Sequence, residues 1–214
     1  MRTTEAFARL EGLHRPVVTT REAAVAWGQE LPAATRTLTR LDESGLMRKL
    51  AHGVWQVGRT AVDPTFVLPV LTEPYPSYVS GWSALSKHGM IEQIPRATFV
   101  VTLDRSRTVA TAIGEFEIHH LHPDLFGGFE GTTAIRAGVA RPEKALFDTI
   151  YLLTIRNGHV TLPELELADD FDGEMLRQWA EAAPSARLRT MTMTNLGLAI
   201  DSAIANRVPD RGVG

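Results

Sequence analysis

The chain has no cysteine among its 214 residues, which removes disulfides, thiol catalysis and thiolate metal sites at once. It has no apolar run near the roughly 20 residues that a bilayer-crossing helix needs. Its opening, MRTTEAFARLEGLHRP, lacks the apolar core of a signal peptide, so a soluble cytoplasmic protein without membrane association is expected. The phosphate-binding pattern GxxxxGK[ST], the dinucleotide pattern GxGxxG, the hydrolase elbow GxSxG and the zinc pattern HExxH are all missing. Low complexity and internal repeats are missing too. What is present is a hydrophobic fraction of 44%, enough for a packed core.

Charge is distributed unevenly. The net charge is -3, yet residues 1–62 hold nine Arg and Lys against six Asp and Glu. The remaining chain holds 13 against 19. A basic front and an acidic back suggest two domains with different partners, divided here as 1–62 and 63–214.

In the front part, Leu31, Ala34, Leu38 and Leu41 recur at helical spacing and mark an inward face. Pro32 suits the first helical turn and Gly45 suits a helix end, so a helix is expected over Pro32–Ser44. Its outward face carries Thr35, Arg36, Thr39 and Arg40. Upstream, Thr19 and Glu22 have capping-box spacing before a helix over Thr20–Trp27 that Gly28 ends. A helix near Thr4–Glu11 adds Phe7 and Leu10 to a small core. Downstream, LMRKLAHGVWQV reads as two short strands around a turn at His52-Gly53. Helix, helix-turn-helix and hairpin is the order of a winged helix, whose second motif helix enters the DNA major groove. Arginine suits guanine edges, and threonine suits phosphates or the thymine methyl. The DNA-binding candidates are Thr35, Arg36, Thr39 and Arg40, with Thr20 and Arg21 in the preceding helix and Arg48, Lys49 and His52 on the wing. A plain solvated helix face, with Arg36 and Arg40 paired to Asp42 or Glu43, is the competing reading.

The back part begins with AVDPTFVLPVLTEPYPSYVSG, a proline-rich linker that is expected to become part of the second domain. A helix is expected from Gly81, with Trp82, Leu85 and Met90 inward. Strands are expected over Thr98–Leu103, Glu115–His122 and Thr132–Ala140. In the second of these, Phe116, Ile118 and His120 share a face. A helix starts at Pro142, an acidic loop covers Asp169–Asp172, and two helices follow near Gly173–Ala183 and Ala186–Asn206. The fold class is therefore α+β: a winged helix-turn-helix followed by a larger mixed domain, a small sheet covered by helices.

Candidate chemistry is thin. His119, His120 and His122 lie close together, but two histidines at i, i+2 need further ligands to hold zinc, so no metal site is assigned. FGGFEG lacks the lysine and hydroxyl of a phosphate cradle and reads as a loop. Lys144 and Asp148 stand at i, i+4, the spacing of an ordinary helix-surface pair, and Glu143 in the first turn complements the helix dipole. The four tryptophans read as core. No catalytic residue and no cofactor are assigned.

TTREAA, followed by RLDESGLMRKLAHGVW, resembles the N-terminal winged helix of AbiEi-type antitoxins. YPSYVSGWSALSKHGMIEQIP and ARPEKALFDTIYL resemble the second domain of the same family, so the likeness covers roughly residues 15–155. The resemblance implies the antitoxin of a bicistronic, type IV toxin–antitoxin system. It implies repression of its own operon through upstream inverted repeats, and opposition to a nucleotidyltransferase-like toxin, directly or through the toxin's target. It places antitoxicity in the second domain, where Ser80, Arg141, Glu143 and Lys144 are the candidates. An enzyme that modifies the toxin, and a winged-helix interaction module that never touches DNA, are the alternatives.

Overall fold

A computed structural model describes residues 2–206 apart from residues 159, 161 and 163. The front part is built from α1 (Thr3–Glu11), β1 (Val17–Thr19), α2 (Thr20–Trp27), α3 (Leu31–Glu43), β2 (Met47–Ala51) and β3 (Val54–Val57). The three strands form one antiparallel sheet in the order β1-β3-β2. The capping box at the start of α2 is formed on both sides: Thr19 Oγ1 accepts from Glu22 N at 3.0 Å, and Glu22 Oε2 accepts from Thr19 N at 2.7 Å. Glu22 also pairs with Arg15. Gly28 ends α2 in the left-handed conformation, φ 61°, and three residues later α3 begins. Leu10, Trp27, Leu38, Leu41, Met47 and Trp55 close the core between the helices and the sheet.

The inward stripe of α3 is Ala34, Thr37, Leu38 and Leu41. Leu31 is 49% exposed, contrary to the face read from the sequence. It stands at the first helical position, where no element covers it. Thr37, one helical turn from both Ala34 and Leu41, is buried with them. Its hydroxyl is satisfied by Ala33 O at 3.1 Å.

The back part contains α4 (Leu68–Thr72), β4 (Ser77–Val79), α5 (Gly81–Lys87), β5 (Ala97–Thr102), β6 (Arg107–Thr111), β7 (Gly114–His120), β8 (Phe129–Glu130), β9 (Gly138–Ala140), α6 (Pro142–Asn157), α7 (Gly173–Glu181) and α8 (Ala186–Asn206). Six strands form a mixed sheet in the order β6-β7-β5-β4-β9-β8. The pairs β5–β7 and β4–β9 are parallel and the others antiparallel. Helices α5, α6, α7 and α8 pack together on one face, over a core that includes Tyr78, Leu85, Val101 and Leu146. Gly81 lets α5 start against that sheet: its φ is 50°, and a Cβ there would enter the Phe99 ring.

A third apolar cluster joins the two parts. Val17, Leu50 and Val54 from the first sheet meet Val79, Val100, Phe116 and Ile118 on the opposite face of the second. The expected boundary at residue 62 thus falls beside packing that crosses it.

Several expectations change. The proline-rich linker contains β4, a strand in the middle of the large sheet, stabilised by neighbours on both sides. The third expected strand, Thr132–Ala140, shrinks to Gly138–Ala140, because Thr133 and Arg136 close a tight turn, Thr133 N donating to Arg136 O at 2.9 Å. His120 lies at the end of β7 and is exposed, unlike Phe116 and Ile118. Trp27 and Trp55 are core, whereas Trp82 and Trp179 are half-buried. Among the described residues no helix is long and apolar enough to cross a membrane.

Candidate nucleic-acid interface and a buried charge cluster

The outward face of α3 is built by the same periodicity that buries Leu38 and Leu41. Thr35, Arg36, Thr39 and Arg40 are all exposed, and the face carries a groove of about 570 Å³. Among the described residues neither Arg36 nor Arg40 pairs with a carboxylate: Asp42 lies 3.8 Å from Arg59, and Arg40 Nη2 donates to Thr37 Oγ1 at 3.3 Å. Thr35 and Thr39 spend their hydroxyl protons on the helix itself, donating to Leu31 O at 2.9 Å and Thr35 O at 3.0 Å. Their methyl groups and oxygen lone pairs are what remain for a partner.

The neighbouring candidates divide. Arg21, Lys49 and His52 are exposed. Lys49 Nζ sits 5.6 Å over the Trp55 ring, and His52 occupies the β2–β3 turn beside Gly53, φ 72°. Thr20 is a structural joint: its Oγ1 accepts from Trp55 Nε1 at 2.9 Å, and its backbone N donates to Gly53 O at 2.9 Å. Arg48 departs from the wing role. Its Nη2 donates to Ala112 O at 2.5 Å, and Ala112 N donates to Leu50 O at 2.9 Å. One side of the hairpin is therefore fastened to the β6–β7 turn. The alternation of β2 decides this, because it turns Arg48 and Leu50 toward the second part's sheet and its connecting turn.

The four candidates in the second part come together only in part. Lys144 and Asp148 are fully buried, which corrects the surface pair expected from their spacing. The reason is that α6 is enclosed by α5, α7, α8 and β9, so burial runs unbroken from Glu143 to Tyr151. Lys144 Nζ donates to Asp148 Oδ1. Asp148 Oδ2 accepts from Ser80 Oγ at 2.7 Å and Tyr78 OH at 2.9 Å. Three rings surround the ammonium: Trp179 at 4.6 Å, Phe147 at 4.9 Å and Tyr78 at 5.7 Å. Burial outweighs the attraction of Asp148 and pulls the Lys144 ammonium below the usual lysine range. Burial and the Asp148 charge push the Tyr78 phenol well above its ordinary value. Gly128 completes the enclosure; its φ is 69°, and a Cβ there would stand 2.8 Å from the Trp179 ring.

Ser80 and Lys144 are thus members of one sealed network that draws on β4, α5 and α6. Glu143 is buried next to it and accepts from Asp172 N at 2.8 Å, tying α6 to the start of α7. Arg141 alone among the four is exposed, 3.4 Å from Glu130. Sequence reasoning missed the roles of Tyr78, Asp148 and Trp179. Their early signal was a polar i, i+4 pair set among apolar neighbours, Ala145, Leu146, Phe147 and Ile150.

The histidines do not converge. His119 stacks on Phe99 with ring centroids 4.1 Å apart, His120 Nδ1 lies 3.2 Å from Leu103 O, and His122 Nδ1 accepts from Asp124 N at 3.3 Å. Among the described residues no group of three or more potential metal ligands gathers. No protein-family model matches the chain, and no curated protein matches it.

Proposed function

We propose that this protein is a cytoplasmic, DNA-binding antitoxin of a type IV toxin–antitoxin system that represses its own operon. The observation that carries the DNA half is the exposed Arg36–Arg40 pair on α3, neither member of which is in an ion pair among the described residues. The element order α1-β1-α2-α3-β2-β3 supports reading the front part as a winged helix, with α2 and α3 as its helix-turn-helix. In that docking Arg36 and Arg40 read base edges, the Thr35 and Thr39 methyls meet thymine, and Arg21, Lys49 and His52 meet phosphates. The antitoxin half rests on the resemblance of the SGWSAL and PEKAL segments to AbiEi-type proteins. The buried Lys144–Asp148 network supports giving those segments a fold-holding role, which leaves the exposed Arg141 as the candidate for contact with a nucleotidyltransferase-like toxin or its target.

The test is an anisotropy titration of the full chain with DNA from immediately upstream of its own gene, against a scrambled duplex, at several salt concentrations. Specific, salt-sensitive binding is expected. Equal affinity for both duplexes overturns the operator-binding reading. Co-expression with the neighbouring gene tests the antitoxin half, and growth arrest unrelieved by this protein overturns it.

A further inference from the structure

The helix layer does not cover the whole of the large sheet. Beyond α5, the face that carries Phe99 continues onto β7, where Glu115, Glu117 and His119 alternate outward on the same side. The step between the helix layer and this open face is a cleft of about 610 Å³. That lies within the roughly 300–1,000 Å³ of small-molecule sites. Trp82, Ile91 and Phe99 form its apolar wall, Glu115 and Glu117 stand on the β7 side, and Arg96 lies at the rim.

The charges in this cleft are not spent on one another. Among the described residues Glu115 and Arg96 make no ion pair. Glu117 has only the His119 ring, Nε2 to Oε2 3.7 Å. Burial, against the pull of Glu117, keeps His119 toward its neutral form, and the nearby Arg156 acts in the same direction. His119 Nε2 is itself buried without a hydrogen-bond partner.

A purely cationic ligand would leave Arg96 opposed by a like charge. A purely anionic ligand would face two carboxylates, and an apolar one would desolvate all three charges without compensation. A zwitterion with an apolar body offers Arg96, Glu115 and Glu117 each an opposite charge. We propose that this cleft binds a free amino acid with a large apolar side chain. Its ammonium is received by Glu117 and Glu115, its carboxylate by Arg96, and its side chain lies against Trp82, Ile91 and Phe99. The site is separate from the α3 face and stands or falls independently of DNA binding.

The experiment is calorimetric titration of the full chain with L-phenylalanine and L-leucine. N-acetyl-L-phenylalanine, which lacks the ammonium, and L-phenylalaninamide, which lacks the carboxylate, serve as the paired probes. Saturable binding of L-phenylalanine or L-leucine is expected, weakened about tenfold or more by either deletion, since each removes a charge-assisted hydrogen bond. Glu117→Gln should weaken L-phenylalanine and not weaken the N-acetyl derivative; Arg96→Met should weaken L-phenylalanine and not weaken the amide. Both variants are checked for folding by circular dichroism, and Arg96→Met, at an exposed position, decides the matter if Glu117→Gln unfolds. Absence of saturable binding by both amino acids, equal affinity for the blocked derivatives, or affinities unmoved by the folded variants overturns the proposal.

Discussion

Two helices of this protein carry a cation with a polar residue four positions on, and they use it in opposite ways. On α3, Arg36 and Arg40 stand in solvent, and among the described residues neither is in an ion pair. On α6, Lys144 and Asp148 are sealed among Tyr78, Ser80, Phe147 and Trp179. The spacing is the same. The difference is what packs on the helix: α3 has one face open, while α6 is enclosed from Glu143 to Tyr151. A cation left in water keeps its hydration and is available to a partner. A cation taken out of water must be matched in place, and then it constrains the fold.

The largest effect is expected from breaking the buried pair. Lys144→Met leaves Asp148 charged and under-compensated in the core and should cost about 3–5 kcal/mol in urea unfolding. Lys144→Met combined with Asp148→Leu should recover part of that loss. A single variant within about 0.5 kcal/mol of the parent would show that the pair is not a fastener.

On the exposed side, Arg36→Ala and Arg40→Ala should each lower specific DNA affinity by about 1–3 kcal/mol while leaving urea stability within about 0.5 kcal/mol. A large stability loss without a change in affinity would reverse the contrast between the two helices. Tyr78→Phe and Ser80→Ala should each cost about 1–3 kcal/mol of stability, because each withdraws a hydrogen bond from the buried Asp148 carboxylate.

The hairpin sharpens the comparison within a single strand. Lys49→Ala should weaken binding to all duplexes alike and reduce the salt slope by about one. Arg48→Ala should instead lower stability by about 1 kcal/mol, through the lost bond to Ala112 O, with little change in the slope. Interchanged outcomes would mean that the hairpin releases Arg48 on DNA.

The smallest effect concerns pH. The folded protein holds His119 below the ordinary histidine value of 6.5. As pH falls below about 6.5, the unfolded chain takes a proton that the native chain resists, so stability contributed above that pH is lost on acidification. His119→Gln should flatten the stability profile just below about pH 6.5; an unchanged slope would place the titration elsewhere.

The front part was legible because its signals are local. The Thr19–Glu22 capping box, the Gly28 stop and the turn at His52-Gly53 each act within a few residues and lie where the sequence puts them, as do Ala34, Leu38 and Leu41 of the α3 stripe. Leu31 was misplaced because helical spacing reports a face and not how far along the helix that face is covered. The second part was less legible because its decisive contacts are distant. Tyr78 and Ser80 reach Asp148 across 70 and 68 positions, and β4 is a three-residue strand that exists only through pairing with β5 and β9.

By itself, then, the sequence determined the helix ends, the hairpin turn and which cations α3 turns outward, since capping, glycine conformation and a 3.6-residue period are local physics. Only the tertiary structure decided that Arg48 belongs to the joint between the two parts and that Lys144 and Asp148 lie in the core. It also decided that Glu115, Glu117 and Arg96 share a cleft. Burial and long-range pairing depend on which surfaces meet, and no short window of sequence contains that information.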